Sequence, residues 1–375
     1  MKSEKISEFL QSRIEAKDFP SAVYLAAEKG EIVFQDALGF AVVEPERIEA
    51  KIDTIYDLAS LTKPLVTGLL CAKLIEQNRL HLGRTIDFYF PEFDIYASQE
   101  NGWDVAIEEL FVHASSFSAW KPFYLLIENR SKISIEIIKT PLDLEQPIVT
   151  YSDLNFLMLT FLIEKIYDER IDEVARKEIF EPLNLRNTFY NPPQELRKRI
   201  AANEKGNEYE KQICIEQGFD ISKYNWRDYQ IWGEVHDGNC YFMNGVSGHA
   251  GLFSTAEETF KIAQQFLPNS TQLLTPETCK LFRTNFTEGY NEARSIAFQL
   301  AEAKDSSASE FLARDSFGHL GFTGTSLWIE PETERIFILL TNRTHAHELP
   351  FENINSVRRK FHELAVKFLN ENGQI

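Results

Sequence analysis

The sequence lacks the features that mark membrane, metal-binding and nucleotide-binding proteins. It has no apolar run of about 18 residues, so no transmembrane helix is expected. It has no H-E-x-x-H pair, no Cys/His cluster, no P-loop and no G-x-G-x-x-G turn, so we expect no cofactor and no metal site. Its 57 acidic residues outnumber 39 basic ones, and a net charge of −18 argues against nucleic acid as a partner. These absences argue against membrane-spanning, metal-binding, nucleotide-binding and nucleic-acid-binding functions.

Cysteine is scarce, and the four cysteines are far apart, with no C-x-x-C pair. They are Cys71, Cys214, Cys240 and Cys279. This spacing suits free thiols in a reducing compartment. Residues 1–8 include no apolar segment typical of a secretory signal. The sequence therefore predicts a cytoplasmic location, or a periplasmic one if a leader has been removed.

The length and the order of predicted elements indicate a mixed architecture. A chain of 375 residues with 43% hydrophobic content can bury a large core in two or three lobes. Strands are predicted near both ends of the chain, with helix and loop between them. The early strands are Ala22 to Ala27 and Ile32 to Leu38, and the late antiparallel pair is Phe317 to Trp328 and Arg335 to Thr341. The economical arrangement is one sheet built from both ends, interrupted by a helical insert and covered by helices.

The most informative motif is Ser60-Leu61-Thr62-Lys63, which precedes an apolar run from Leu65 to Leu74. That run predicts a buried helix, and residues three apart share one helix face. The amine of Lys63 can therefore reach the hydroxyl of Ser60. A serine needs an adjacent base to become a nucleophile, and a lysine can be that base if burial and nearby positive potential hold it neutral. A helix N-terminus supplies such potential, together with a free N–H for an oxyanion.

A second S-x-x-K, Ser118-Ala119-Trp120-Lys121, also occurs. It lies in residues 113–122, where serine, aromatic residues and proline predict a loop. A neutral lysine is harder to maintain in a loop than in a buried helix, so Ser60 is the favoured nucleophile. Trp120 is expected to contribute to an aromatic-lined substrate pocket.

Three motifs in order carry a resemblance to a known family. Ser60-Leu61-Thr62-Lys63 is followed about ninety residues later by Tyr151-Ser152-Asp153, and His319-Leu320-Gly321 falls on a late strand. With residues 248–254 and 322–326, they resemble the serine β-lactamase and penicillin-binding-protein superfamily, in its class C and esterase-like branch. Members of that superfamily read S-x-x-K, then Y-x-N, then K-T-G or a variant such as H-x-G. The resemblance covers nearly the whole chain.

The resemblance implies an α+β fold with an antiparallel five-stranded sheet flanked by helices. Residues 1–80 and 240–375 would form this sheet domain, and residues 81–239 a mostly helical insert that covers the active-site cleft. Residues 192–244 are polar and irregular, and we expect them to form a surface excursion over the site.

The resemblance also implies roles for individual residues. Ser60 would be the acylated nucleophile, Lys63 would accept its proton, and Tyr151 would carry protons to the leaving group and from water. The backbone N–H groups of Ser60 and Phe322 would form the oxyanion hole. Gly321 would keep the strand edge open to substrate.

Two positions depart from the family pattern. The asparagine of Y-x-N is Asp153 here, which adds negative charge where an amide would bind a substrate carbonyl. The lysine of K-T-G is His319, a mostly neutral residue that holds a carboxylate more weakly. Both changes should weaken recognition of β-lactams and of D-Ala-D-Ala, and both leave ester or amide hydrolysis open.

The leading hypothesis is a serine hydrolase that works through an acyl-enzyme. Its substrate would be a small-molecule ester or amide, or a small peptide derived from D-amino acids or the cell wall. The alternatives are a β-lactamase or DD-carboxypeptidase, and a catalytically silent ligand-binding domain with the same fold.

Overall fold

The structure, a computed structural model, describes residues 1–96 and 104–372. Its strands are β1 (Ser21–Glu28), β2 (Glu31–Val42), β3 (Ile48–Glu49), β4 (Tyr56–Asp57), β5 (Phe189–Tyr190), β6 (Leu252–Ser254), β7 (Arg294–Ser295), β8 (Phe298–Leu300), β9 (Phe317–Leu320), β10 (Ser326–Glu330) and β11 (Arg335–Thr341). Its α-helices are α1 (Glu4–Glu15), α2 (Leu69–Glu76), α3 (Ile86–Tyr89), α4 (Ile107–Phe111), α5 (Phe123–Leu126), α6 (Ile133–Lys139), α7 (Asp153–Tyr167), α8 (Ile171–Ala175), α9 (Glu208–Glu216), α10 (Gly238–Phe242), α11 (Ala256–Ala263) and α12 (Asn355–Asn372). No helix within these described ranges is long and apolar enough to cross a membrane.

The main sheet is antiparallel and joins the two ends of the chain. Its strand order is β3-β2-β1-β11-β10-β9-β8-β7, so β1 from the early sequence pairs with β11 from the late sequence. The register places Ala22 opposite Thr341 and Glu28 opposite Arg335. The prediction of an α+β fold with an antiparallel sheet flanked by helices is confirmed, and a second, three-stranded sheet has the order β4-β6-β5.

Strand β1 is buried on both faces because helices cover both sides of the sheet. Val23 and Leu25 contribute to the larger hydrophobic core, whereas Tyr24 belongs to a second core beneath α1 and α12. The ring of Tyr24 lies 5.9 Å from that of Phe361 on α12. Successive strand side chains point to opposite faces, which explains why an unbroken apolar stretch suits this central strand. Each such buried side chain contributes about 1.5–3 kcal/mol.

The sheet has eight strands, whereas five were expected. The five central strands, β2, β1, β11, β10 and β9, correspond to that expectation, and β3, β8 and β7 extend the two edges. These three edge strands have only two or three residues each. An alternating pattern cannot be recognised over so few positions, so sequence periodicity does not reveal them.

The segment predicted as one strand from Phe317 to Trp328 is a hairpin. Strand β9 ends at Leu320 and pairs with β10, with Leu320 opposite Ser326. The turn closes through a 2.8 Å hydrogen bond from the Gly321 N–H to the Thr325 carbonyl. Gly324 adopts a φ of +111°, a conformation that glycine tolerates and other residues do not. The motif His319-Leu320-Gly321 therefore lies where strand β9 ends and the turn begins.

Candidate active site

Ser60 lies in a 3-10 turn, Ala59–Leu61, directly after β4. Ala59 adopts a φ of 47°, and its N–H donates to Asp57 Oδ1 at 2.9 Å. The Thr62 hydroxyl donates to the Ala59 carbonyl at 2.7 Å. A wider helical segment, Lys63–Gly68, then leads into α2. The predicted helix after Ser60 is thus present, but its first turns are not regular α-helix.

Lys63 is completely buried and its amine contacts the serine. Lys63 Nζ lies 3.0 Å from Ser60 Oγ and 3.0 Å from the carbonyl oxygen of His249. It also lies 2.7 Å from Asp153 Oδ1. This last contact is an ion pair, and Asp153 Oδ1 makes no hydrogen bond to any other described residue.

The charge state of Lys63 differs from the neutral lysine expected from the sequence. Burial lowers the pKa of Lys63, but the Asp153 carboxylate and the neighbouring Tyr151 hydroxyl raise it more, so that the pKa lies above its ordinary value. Lys63 is therefore an ammonium group at neutral pH in the substrate-free site.

Tyr151 completes the polar group around the serine. Its hydroxyl makes side-chain hydrogen bonds with both Ser60 and Lys63, and Lys63 Nζ lies 5.1 Å from its ring centroid. The ring of His113 stacks beside it at 4.5 Å. Burial raises the pKa of Tyr151, and the neighbouring Lys63 lowers it in part. The phenol is consequently protonated at neutral pH.

The His249 carbonyl that holds Lys63 is itself fixed by its surroundings. One nitrogen of the His249 ring lies 2.6 Å from Ser247 Oγ, and the other lies 3.0 Å from Asp237 Oδ1. Burial raises the pKa of Asp237, but the His249 ring lowers it more, so Asp237 is ionised. The Gly-rich segment before β6 thus contributes a rigid acceptor to the site.

The turn after β9 is tied to the serine segment by close backbone contact. The hydroxyl of Thr325 donates to the Leu58 carbonyl at 3.0 Å. A Cβ atom on Gly321 would lie 2.0 Å from Thr325 Oγ1 and 2.5 Å from the Leu58 carbonyl oxygen. Only glycine allows this approach, so Gly321 brings the next residue, Phe322, beside Ser60 in the wall of one cleft.

His319 presents a hydrogen-bond acceptor to the cleft rather than a cation. Its Nδ1 lies 2.8 Å from the Leu320 carbonyl, which can only accept, so the proton is on Nδ1. Burial and the nearby cations Lys63 and Arg294 hold the pKa of His319 well below its usual value. The ring is neutral, and its Nε2 lone pair is buried without a partner among the described residues.

The cleft above the serine has a volume of about 630 Å³. Of the site residues predicted from the sequence, only Lys63 does not line the cleft, because it lies beneath the floor. The predicted residues that do line the cleft are Ser60, Trp120, Tyr151, Asp153, His319, Gly321 and Phe322. The second S-x-x-K does not form a pair of this kind: Lys121 donates to Thr140 Oγ1 at 2.8 Å, and Ser118 lies in a loop.

Sequence reasoning missed three arginines in the cleft wall, Arg294, Arg343 and Arg358. The guanidinium carbon of Arg294 lies 5.6 Å from the Tyr151 ring centroid, and its Nη2 lies 2.9 Å from Glu292 Oε1. Its buried Nε has no partner among the described residues. No local signal marks these residues, because each one stands far from the motifs along the chain.

The opposite wall carries acidic and aromatic side chains. Glu210 on α9 accepts hydrogen bonds from the Gly238 N–H and the Tyr124 hydroxyl, and burial raises its pKa to about 7. Tyr209 stacks against Phe322, with ring centroids 4.8 Å apart. Across residues 1–96 and 104–372, no three His, Cys, Asp or Glu side chains are grouped so as to hold a metal ion.

The fold is that of β-lactamases and transpeptidases, and the proteins of this type are serine hydrolases. A family model described as Beta-lactamase matches residues 6–358, so the chain belongs to that family.

Comparison with known proteins agrees with this assignment. A putative D-alanyl-D-alanine carboxypeptidase of Escherichia coli K12 is 29% identical over 88% of this chain and 79% of its own length. An N-acetylmuramyl-L-alanine amidase of Bacillus subtilis 168 is 29% identical over 94% of this chain and 84% of its own length. The crystal structure of a class C β-lactamase from Rhodobacter sphaeroides superposes with a TM-score of 0.72 and 15% identity, covering 98% of this chain and 100% of the other. This last likeness concerns the fold alone.

Proposed function

We propose that the protein hydrolyses amide or ester bonds of small D-amino-acid or cell-wall-derived peptides through an acyl-enzyme on Ser60. The observation that carries the proposal is the contact of Ser60 Oγ with both Lys63 and Tyr151 at the floor of an open cleft. A hydroxyl held between two groups that can exchange protons is the arrangement that nucleophilic catalysis requires. The two relatives, a putative carboxypeptidase and an amidase by name, support the cell-wall substrate class.

In this proposal Lys63 acts in its neutral form, and the Ser60 oxygen attacks the substrate carbonyl while its proton passes to the lone pair of that amine. The oxyanion is stabilised by the backbone N–H groups of Ser60 and Phe322. Tyr151 relays the proton to the leaving group, and in the second step it helps to remove a proton from the water that releases the acyl group.

Arg294 supports a substrate with a free carboxylate. His319 is neutral and offers a lone pair, so it cannot hold an anion. Arg294 supplies a permanent positive charge on the same side of the cleft, beside Tyr151. A peptide carboxylate would therefore pair with Arg294 and not with His319. This arrangement favours carboxypeptidase chemistry over simple ester hydrolysis.

A β-lactamase is the second candidate, since the same serine chemistry opens a lactam ring. The family assignment favours it, and the replacement of the K-T-G lysine by a neutral histidine disfavours it. Turnover of a chromogenic cephalosporin with the efficiency of an established β-lactamase would select this candidate.

The first test is labelling with a fluorophosphonate probe, followed by intact-protein mass measurement and peptide mapping. We expect one stoichiometric adduct on Ser60 and none in Ser60→Ala, whose hydrolytic turnover should fall by several orders of magnitude. Ser118→Ala, from the second S-x-x-K, is the matched control and should be labelled like the wild type. A folded wild-type protein that forms no adduct would contradict the proposal and favour a silent binding domain.

A further inference from the structure

Within 3.0 Å the amine of Lys63 contacts three polar atoms, Ser60 Oγ, the His249 carbonyl oxygen and Asp153 Oδ1, and the Tyr151 hydroxyl is also within hydrogen-bond reach. The carbonyl oxygen can only accept a hydrogen bond, and so can an ionised carboxylate. Two of the three directions around the nitrogen are therefore taken by acceptors. The third direction points at Ser60.

This geometry serves both protonation states of Lys63. As an ammonium group, Nζ donates three N–H groups and has no lone pair, so it cannot take a proton from Ser60. As a neutral amine, it keeps two N–H groups for His249 and Asp153, and its lone pair is left for the Ser60 hydroxyl. The same contacts thus hold the ammonium form of Lys63, which cannot accept a proton, and direct the lone pair of the neutral form at the Ser60 hydroxyl.

An asparagine at position 153 could share the contact but not the charge. Asp153 is the first residue of α7, and its side chain is 17% exposed, so a carboxylate there is stabilised by the helix N-terminus and by water. Its Oδ1 is buried and makes no other polar contact with the described part of the chain. The ion pair with Lys63 is therefore the principal interaction of this oxygen.

We propose that Asp153 is a positioning residue that aims the nitrogen of Lys63 at Ser60 and, through its charge, keeps Lys63 protonated at neutral pH, so that Ser60 becomes nucleophilic mainly under alkaline conditions. This inference rests on the proposed hydrolase function for its catalytic consequence. It assigns Asp153 to the lysine, whereas the resemblance assigns this position to the substrate carbonyl.

Other charged groups near Lys63 do not replace Asp153. Tyr151 is a protonated phenol, and the pKa values of His113 and His319 lie well below the usual range because both rings are buried near cations. Asp237 is ionised and close enough to feel the charge of Lys63, but its carboxylate is hydrogen-bonded to His249. Asp153 is the one carboxylate in direct contact with Nζ among the residues described.

The direct test is an NMR titration of lysine side chains labelled with 13C at the ε carbon, with the Lys63 signal assigned by its loss in Lys63→Met. An opposite charge in contact shifts a pKa by about one to three pH units. We expect the midpoint of Lys63 to fall by at least about one pH unit in Asp153→Asn and to stay high in Asp153→Glu. Asp305→Asn removes the same charge from an exposed position and should leave the midpoint unchanged.

The catalytic test is the pH dependence of the rate of Ser60 labelling by the fluorophosphonate probe. The wild-type rate should rise with pH along an alkaline limb, and Asp153→Asn should move that limb to lower pH by the amount that NMR gives. An alkaline limb at the same pH in Asp153→Asn as in the wild type would overturn the proposal, as would an unchanged Lys63 midpoint in this variant.

Loss of labelling at every pH in Asp153→Asn would show that Asp153 accepts the proton itself, which also contradicts a positioning role. Failure of the wild type to label at any pH would count against the hydrolase, while NMR would still decide the role of Asp153.

Discussion

Arg358 Nη2 donates a hydrogen bond of 2.9 Å to the carbonyl oxygen of Gly321, and thereby ties helix α12 to the end of β9 in the wall of the cleft that Ser60 lines. The same nitrogen donates to the Thr325 carbonyl at 3.0 Å. The buried Arg358 guanidinium therefore stabilises the turn that carries Phe322. A side chain near the end of the sequence thus supports the geometry of a candidate site that includes Ser60, near the beginning.

Replacing Arg358 by methionine should destabilise the protein and slow acylation together. The substitution removes two hydrogen bonds from a charged donor, one to the Gly321 carbonyl and one to the Thr325 carbonyl, and each contributes about 1.5–3 kcal/mol. We expect the free energy of unfolding, measured by urea denaturation, to fall by about 3–6 kcal/mol. Arg359→Met is the matched control: Arg359 is exposed, and its loss should change stability by less than about 1 kcal/mol. Equal stability losses in the two variants would contradict this role of Arg358.

Gly321→Ala should impair the oxyanion hole. Its Cβ would meet the Leu58 carbonyl oxygen at 2.5 Å, so the turn must move away from Ser60. Loss of one oxyanion donor typically lowers kcat by about 10²–10³-fold, and we expect a loss of that order here. The rate of fluorophosphonate labelling measures it without the need for a natural substrate.

The control for this variant is Gly83→Ala, because a Cβ on Gly83 has no atom within 4 Å. Gly83→Ala should label at the wild-type rate. Normal labelling of Gly321→Ala would show that the turn relaxes without moving the Phe322 N–H, and would remove the reason for glycine at that position.

The Ser60–Lys63 contact could be predicted from the sequence because it is local. Ser60 and Lys63 are three residues apart, so helical spacing alone brings them together, and the structure places their side-chain atoms 3.0 Å apart. Tyr151 required the resemblance, since nothing in its own neighbourhood indicates that it reaches Ser60. The catalytic roles of all three remain predictions.

The rest of the site depends on contacts between distant parts of the chain. Arg294 lies on a two-residue strand that has no periodic pattern, and it reaches Tyr151 only because β7 is the last strand of the sheet. The charge state of Lys63 depends on Asp153, 90 residues away, so a motif that includes only Ser60 and Lys63 cannot indicate whether the amine is neutral.

Arg294→Met should distinguish substrates with a free carboxylate from those without one. Hydrogen bonds to a charged group contribute about 1.5–3 kcal/mol, so kcat/KM for a D-amino-acid peptide with a free carboxylate should fall by about 10- to 100-fold. The C-terminal amide of the same peptide should be turned over almost equally by both proteins. Arg283→Met, which removes an exposed arginine paired with Asp315, should leave both substrates unaffected. Equal losses for the acid and the amide would indicate that Arg294 supports Tyr151 instead of binding substrate.

His362 makes the free energy of unfolding depend on pH between about pH 3 and pH 6.5. The ring is buried in α12, its Nδ1 lies 3.0 Å from the Ser307 carbonyl, and burial lowers its pKa to about 3. The unfolded chain takes up this proton near pH 6.5, whereas the folded protein does not until about pH 3. Within that window the unfolded state binds one more proton, so this histidine lowers the free energy of unfolding by about 1.4 kcal/mol for each pH unit of acidification.

His362→Gln should remove this contribution while keeping a donor for Ser307. Urea denaturation of both proteins between pH 7 and pH 4 measures the two slopes, and the slope of the variant should be smaller by about 1.4 kcal/mol per pH unit. His81→Gln, at an exposed position, should keep the wild-type slope. Because His113 and His319 at the active site are also buried and neutral, part of the acid sensitivity should persist in His362→Gln. Parallel slopes for the variant and the wild type would mean that His362 is protonated in the folded protein, and that the buried ring finds a second partner when charged.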